Sequence, residues 1–174
     1  MINQSYRLFS PRQIRCELID ERISNEDVVV RPTYLSICAA DQRYYTGNRS
    51  KEVLKKKLPM ALIHEAIGEV VFDPKRELEP GTKVVMIPNT PIEKDEVIKE
   101  NYLRSSYFRS SGYDGFMQSL VTIRRDRVIP YDGISEQDAA YQTQCKEIEK
   151  SPLTVKLAGD HETKEREYPS RHEC

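Results

Sequence analysis

The feature that most constrains this chain is a cysteine followed at a distance by a histidine–glutamate pair. Cys38 opens the segment Cys38-Ala39-Ala40-Asp41, and His64-Glu65 follows 26 positions after the cysteine. Thiolate, imidazole and carboxylate groups are ligands that a borderline-soft ion such as zinc accepts. A buried structural cysteine with one hydrogen-bonded histidine explains the spacing equally well, because free cysteine is among the most buried residue types.

Bulk properties favour a single domain, with room for an appendage, in a reducing cytoplasm. The chain has 174 residues, 38% of them hydrophobic, and a net charge of −1, so no global field favours nucleic acid or an anionic membrane. No stretch approaches the roughly 20 apolar residues of a membrane helix, and the first residues lack the apolar segment of a signal peptide. Four widely separated cysteines indicate free thiols rather than a disulfide framework.

Short β-rich runs, punctuated by Gly and Pro, predict a mainly β barrel or sandwich over the first 130 residues. The predicted strands are Ile14–Leu18, Val28–Val30, Tyr34–Cys38, Ile67–Phe72, Lys83–Ile87, Phe116–Ile123 and Val128–Pro130. Helical patterns cover Ser50–Leu58 and Glu93–Leu103, and a capping box predicts a helix start at Ser135.

The last part of the sequence differs in character from the rest. Residues 141–174 are crowded with charged side chains and show no apolar period, and Pro152 ends any helix begun at Ser135. A disordered tail is expected from Asp160 onward, because so little apolar surface cannot offset chain entropy. The domain prediction is therefore 1–140 for the folded domain and 141–174 for a divergent charged tail that starts helical.

Five motifs occur in order along the chain: Val28–Pro32, Ser36–Asp41, Ile63–Gly68, Glu79–Val85 and Gly112–Met117. Together they resemble the amino-terminal, GroES-like catalytic domain of zinc-dependent medium-chain dehydrogenases. Within that family, Cys38–Gly47, Ile87–Pro91 and Glu100–Met117 resemble the ribulose-5-phosphate reductases of CDP-ribitol synthesis. The resemblance covers about residues 1 to 141 and implies a partly open β-barrel with a few short helices.

The resemblance implies a zinc centre with Cys38 and His64 as ligands, and with Glu65 binding directly or through water. Asp41 would accept the second ring N–H of His64, fixing its tautomer, and would also cap a short helical turn. In the alternative, Glu65 forms an ion pair with a nearby arginine.

The sequence does not fix which residue would be the third protein ligand of this centre. The reductases place Thr-Glu where this chain has Gln142-Thr143-Gln144. Cys145 or Glu147 could substitute, but an incidental position is favoured for each, and a weakened zinc affinity is expected. The family's four-cysteine structural zinc loop has no counterpart in the sequence.

The same resemblance suggests which residues handle the substrate. Many family members have Ser or Thr where this chain has Ala40, so metal-bound water, Glu65 or Tyr44 would handle the proton. Arg43 suits a phosphate, with Tyr44 and Tyr45 as polyol contacts and Arg109 as a secondary phosphate candidate. In the alternative, Arg43 pairs with a carboxylate and the tyrosines are packing residues. The run Lys55-Lys56-Lys57 is predicted to be a solvated helix face.

By resemblance, the intact enzyme reduces D-ribulose 5-phosphate to D-ribitol 5-phosphate with zinc and NADPH. The seven glycines form no dinucleotide-binding fingerprint, so the chain is expected to be a truncated catalytic half without a complete Rossmann domain, inactive alone. Its exposed domain face would favour self-association or a homo-oligomer. Two alternatives stay open: a non-catalytic β-barrel fragment or binding module, and half of another zinc polyol or alcohol dehydrogenase.

Overall fold

Strands supply most of the regular structure in residues 1–93 and 106–142, the part of the chain that the computed structural model describes. This architecture confirms the predicted mainly β fold with a few short helices. The strands are β1 (Ile2–Ser10), β2 (Gln13–Asp20), β3 (Asp27–Ser36), β4 (Met60–Ala61), β5 (Glu65–Phe72), β6 (Lys83–Met86), β7 (Asn89–Thr90), β8 (Tyr107–Phe108), β9 (Val121–Arg124) and β10 (Val128–Pro130). The helices are α1 (Ala39–Thr46), α2 (Lys51–Lys57) and α3 (Glu136–Gln142).

The larger sheet determines where the predicted ligands lie. Its five strands are antiparallel in the order β10-β6-β5-β3-β9, and Ser36 at the end of β3 pairs with Glu65 at the start of β5. Cys38 lies two residues after the end of β3 and His64 directly precedes β5, so this register brings both to the same end of the sheet. The sheet is held by a buried cluster of β-branched and other apolar side chains: Val28, Val30, Ala66, Val70, Val84, Met86, Phe116, Val121, Ile123 and Val128.

A smaller sheet, in the order β2-β1-β4, packs around a second core. This core joins the strand β1 to the helices α1 and α2, so the segment between the two ligand positions is folded onto the barrel rather than left as an open loop. Its buried members are Leu8, Tyr44, Met60, Leu62 and Ile63, with Val53, Leu54, Leu58 and Met117 packed against them.

Gly115 permits a close backbone approach that fixes the chain before β5. A Cβ at this position would lie 2.3 Å from the carbonyl oxygens of both Leu62 and Ile63, which leaves no room for a side chain. The amide of Phe116 donates to the Ile63 carbonyl at 2.6 Å, and the amide of Met117 donates to the Leu62 carbonyl at 3.2 Å. The backbone leading to His64 is therefore clamped by the 115–117 segment.

Several element boundaries differ from the sequence prediction for identifiable reasons. The runs 28–30 and 34–38 form one strand, β3, because a register shift between Pro32 and Tyr34 accommodates the proline. Of the predicted strand Phe116–Ile123, only the end is regular, since residues 115–117 bond to the 61–63 segment instead. The helices predicted at 50–58 and after Ser135 are present as α2 and α3.

Two predictions fall outside the described residues. Most of the predicted helix Glu93–Leu103 and the tail from residue 143 onward are not described. Within the described residues, none of the helices has both the length and the apolar character of a membrane span.

Asp73 forms a buried ion pair that ties the β5–β6 connection to the turn after β9. Its carboxylate accepts from the guanidinium of Arg125 and from the backbone amides of Lys75, Glu77 and Leu78 at 2.9 to 3.0 Å. The hydrogen bonds from Arg125, with those amides, hold the pKa of Asp73 well below its usual range. An exposed pair, Arg124 with Asp126, lies beside it at 2.5 Å.

These two pairs provide a matched stability test. Asp73→Asn should lower the free energy of unfolding by about 3 kcal/mol, because it removes the buried carboxylate of the pair and leaves the largely buried guanidinium of Arg125 only the exposed Glu77 at 3.7 Å. Asp126→Asn should cost less than about 1 kcal/mol, because the Asp126 side chain is 47% exposed and solvent screens its contacts with Arg124 and Arg127. Urea unfolding of both variants measures the difference, and equal losses would contradict it.

The low pKa of Asp73 also predicts how the free energy of unfolding changes at acidic pH. A carboxyl with a depressed folded-state pKa stabilises the protein fully above its unfolded pKa of about 4, and the contribution is lost as the pH falls through the folded value. The stability difference between wild type and Asp73→Asn should therefore shrink steadily as the pH is lowered below about 4. Unfolding curves at a series of acidic pH values measure it, and a constant difference would contradict the assignment.

Candidate metal centre

Cys38 is positioned as the first residue before α1. Its extended backbone serves as the N-cap, its Sγ accepts from the amide of Ala40 at 3.2 Å, and its own amide donates to the Asp41 carboxylate at 3.1 Å. Burial raises the pKa of the Cys38 thiol, so a free thiolate is disfavoured there without a cation to stabilise it. The capping contacts hold the sulfur at the N-terminus of α1.

His64 follows a residue with a strained backbone. Ile63 is buried and has a φ of 71°, a left-handed value that β-branched residues rarely adopt. The Nε2 atom of His64 lies 3.8 Å from the Sγ of Cys38 and 3.7 Å from Oε1 of Glu65, while the ring packs 5.4 Å from that of Phe108. Nε2 is the nitrogen near Glu65, while the sulfur of Cys38 is almost equally close to Nδ1, at 4.0 Å.

Glu65 is the first residue of β5 and is buried. Its Oε2 atom has no hydrogen-bond partner, which is costly for a buried carboxylate oxygen. Burial, followed by the charge of Asp41, raises the pKa of Glu65. Among the described residues its ion contact is with His64 and none is with an arginine, so the alternative role as an arginine partner has no support there.

These three side chains meet the requirements of a cation site. One ligand atom from each of Cys38, His64 and Glu65 lies within 4.8 Å of the other two. Three protein ligands that leave one position open are the pattern of catalytic zinc. The unpartnered Glu65 oxygen and the thiol of raised pKa are both groups whose charge a zinc ion would stabilise, so the residues present fit the ion.

Asp41 holds the parts of this centre together. Its side chain is buried, and it accepts from the amide of Cys38 through Oδ2 and from the amide of Ile63 through Oδ1 at 2.9 Å. The hydroxyl of Ser110 also donates to Oδ1, at 3.1 Å. The Nδ1 atom of His64 lies 3.9 Å from Oδ1, beyond hydrogen-bond range, so the predicted bond between this ring nitrogen and Asp41 is not formed. The predicted capping role is therefore present, with added bonds to Ile63 and Ser110.

The predicted substrate residues have different environments. Arg43 is exposed and has no charged partner among the described residues, and Tyr45 is 41% exposed. Tyr44 is only 4% exposed and packs in the second core, which agrees with the packing alternative. Arg109 is buried: it donates to the carbonyls of Asp114 and Thr122, and its guanidinium lies 5.3 Å from the centre of the Phe116 ring. The described contacts of Arg109 are structural rather than directed at a ligand.

Two cations near Tyr44 were not singled out from the sequence. Arg49 lies over the Tyr44 ring at 4.9 Å, and Lys57 lies near the same ring at 5.9 Å. The prediction of a solvated face for residues 55–57 is wrong for Lys57, which is half-buried, and right for the exposed Lys55 and Lys56. Helical spacing was the sequence signal that could have identified Lys57 as half-buried, because it lies on the same side of α2 as the apolar Val53 and Leu54.

The candidates for a further ligand, Cys145 and Glu147, lie outside the described residues. A shallow cleft of about 760 Å³ lies apart from the three ligands, between the pairs Lys75–Glu26 and Arg124–Asp126. Its charges neutralise one another, so it offers less to a ligand than the centre at Cys38.

Comparison with known proteins places this geometry in a family. Residues 24–133 match the family model described as the alcohol dehydrogenase GroES-like domain. The ribulose-5-phosphate reductase of Bacillus spizizenii is 61% identical over 142 residues, covering 81% of this chain and 42% of that protein. Sorbitol dehydrogenase of Ovis aries is 37% identical over 101 residues, covering 56% of this chain and 28% of that enzyme.

A solved structure agrees with these relatives. The crystal structure of S. aureus TarJ in complex with NADPH is 46% identical, with a TM-score of 0.63, and the match covers 82% of this chain and 38% of that chain. The chain thus spans less than half the length of each of these proteins, at most 42%.

Metal analysis of single variants tests the centre. We expect the purified protein to bind about one zinc ion per chain, and Cys38→Ser and His64→Ala to lose it, because each removes one of three ligands. Cys16→Ser is the matched control, since that cysteine is exposed on β2 and lies in no ligand cluster. Elemental analysis measures the content, and an unchanged zinc content in both ligand variants would refute the site.

Proposed function

We propose, since this chain belongs to the alcohol dehydrogenase GroES-like family, that it forms the metal- and substrate-binding part of a zinc-dependent reductase. The reaction proposed is reduction of D-ribulose 5-phosphate to D-ribitol 5-phosphate with NADPH. The substrate is taken from the name of the 61% identical relative, and the cofactor from the NADPH complex of the TarJ structure.

The observation that carries the proposal is the convergence of Cys38, His64 and Glu65. Their ligand atoms lie within 4.8 Å of one another, and Glu65 leaves one buried oxygen without a partner. A bound zinc ion would supply Lewis-acid polarisation of a ketone oxygen. With one position left open by three protein ligands, the substrate has a place to bind.

The chain's own residues have separate roles in this proposal. Cys38, His64 and Glu65 hold the ion, and Asp41 positions the first two through the amides of Cys38 and Ile63. Ala40 has no group that could transfer a proton. As a ligand of the ion Glu65 would be an ionised carboxylate, and Tyr44 is packed in the second core, so the proton delivered to the product hydroxyl is proposed to come from solvent.

Binding of NADPH is not assigned to any residue of this chain. The match covers 38% of the TarJ chain, so the proposed activity is that of a protein extending beyond these 174 residues. Of the domain prediction, the family match covers 24–133, and the boundary near residue 140 is part of the proposal.

A second candidate is a zinc polyol dehydrogenase of the sorbitol type. The 37% identity to the sheep enzyme favours it, although that match is shorter than the match to the reductase. The two candidates differ in whether the substrate carries a phosphate, so a substrate panel separates them.

The test joins this chain to the nucleotide-binding domain of S. aureus TarJ and follows NADPH oxidation. We expect D-ribulose 5-phosphate to exceed D-ribulose by about a hundredfold in kcat/KM, since a phosphate can gain two charge-assisted hydrogen bonds. His64→Ala in the fusion is the matched inactive control, and the 174-residue chain alone should show only background oxidation. Equal rates with both sugars, or a preference for sorbitol with NADP⁺, would contradict the reductase assignment.

A further inference from the structure

We propose that Arg49 and Lys57, held beside the ring of Tyr44, form the subsite that binds the phosphate of the substrate. The inference rests on the proposed function and names the residues that would give it a phosphorylated sugar as substrate. It moves phosphate recognition away from Arg43 and Arg109, to which the sequence pointed.

Arg49 has donor capacity that the fold does not use. Its guanidinium carbon lies 4.9 Å from the centre of the Tyr44 ring, and its Nε atom is buried without a hydrogen-bond partner. A stacked guanidinium is held in one plane, so its fork of N–H donors is oriented before any ligand arrives. Planar, bidentate donation is the geometry with which arginine binds phosphate oxygens.

Lys57 approaches the same ring from the end of α2. Its Nζ lies 5.9 Å from the ring centre and donates to the hydroxyl of Ser111 at 2.6 Å. An ammonium group has three donors, so two remain for a ligand. The bond to Ser111 orients Lys57 and adds a hydroxyl to the same locality.

The two cations share one aromatic ring and have no acidic counter-charge. Among the described residues, no carboxylate forms an ion pair with Arg49 or with Lys57. The cations lie 4.9 Å and 5.9 Å from the centre of the same ring, so an anion that contacts either one would also be attracted by the charge of the other. A dianionic phosphate meets this requirement better than a neutral hydroxyl.

The position of the subsite fits a ligand that also reaches the metal centre. Ser111 is the neighbour of Ser110, whose hydroxyl donates to Asp41, and Asp41 faces His64. One short loop thus contacts Lys57 at one residue and the metal centre's supporting carboxylate at the preceding residue. A sugar phosphate with its ketone at the centre would extend its phosphate along this loop.

The competing cations fit less well. Arg109 is buried, donates to two backbone carbonyls and lies over a ring, so only its buried Nε is without a partner. Arg43 is exposed and forms no ion pair among the described residues, so its side chain would lose more conformational entropy on binding. Lys55 lies on the exposed side of α2 and serves as a matched control for Lys57.

Calorimetric titration of the 174-residue chain with D-ribulose 5-phosphate and with D-ribulose tests the proposal. Arg49→Gln and Lys57→Gln should each weaken binding of the phosphate ester by about tenfold, through loss of a charge-assisted hydrogen bond. Binding of D-ribulose should stay unchanged in both variants. Lys55→Gln should bind both ligands like the wild type.

A second variant and a melting curve separate lost binding from lost folding. Arg49→Lys keeps the positive charge but lacks the planar pair of guanidinium donors, so it should recover part of the affinity. A melting temperature of Arg49→Gln close to that of the wild type shows that the core is intact. If Arg43→Gln weakens the phosphate ester and the other two variants do not, the proposal is overturned. It is also overturned if D-ribulose binds the wild type as tightly as its phosphate.

Failure of this inference is distinguishable from failure of the proposed function. A fused enzyme that reduces D-ribulose 5-phosphate with an unchanged KM in Arg49→Gln and Lys57→Gln would refute the subsite and leave the reductase assignment standing. Loss of phosphate-ester binding in both variants, in a fusion that does not reduce D-ribulose 5-phosphate, would support the subsite and refute the reductase.

Discussion

The carboxylate of Asp41 is the contact on which the rest of the candidate centre depends. It accepts from the amide of Cys38, which starts α1, and from the amide of Ile63, which precedes His64. Two segments separated in sequence by more than twenty residues are thereby joined through one buried side chain. A buried carboxylate is stable only when such donors surround it, so the same bonds that stabilise Asp41 also position the two ligand segments.

The convergence of Cys38, His64 and Glu65 could be predicted from the sequence, because each residue lies at the end of a strand or within two residues of it. An apolar run before Cys38 and another after Glu65 predict strands, and antiparallel pairing of those strands brings the two ends together. The capping role of Asp41 was also readable, since it depends on local spacing. The two-residue strands β4, β7 and β8 were not, because pairs this short carry no periodic signal.

Residues whose roles depend on distant contacts were the ones that sequence reasoning assigned poorly. Arg109 lies in a polar-aromatic run that suggested phosphate binding, yet it is buried and its terminal nitrogens donate to the carbonyls of Asp114 and Thr122, while its Nε atom has no partner. Lys57 belongs to a run of lysines, and only packing against Tyr44 distinguishes it from its neighbours. Burial and partner choice are properties of the tertiary structure, and neither is encoded in local spacing.

The clamp at Gly115 restricts how this scaffold can diversify. Because no side chain fits at position 115, and because residues 115–117 bond directly to the 62–63 carbonyls, the backbone under His64 cannot drift without breaking several bonds at once. The segment from Gly47 to Lys57, by contrast, carries exposed positions along a short helix. New substrate preferences in such a domain would therefore arise by substitutions on that segment, while the backbone that positions the candidate centre stays the same.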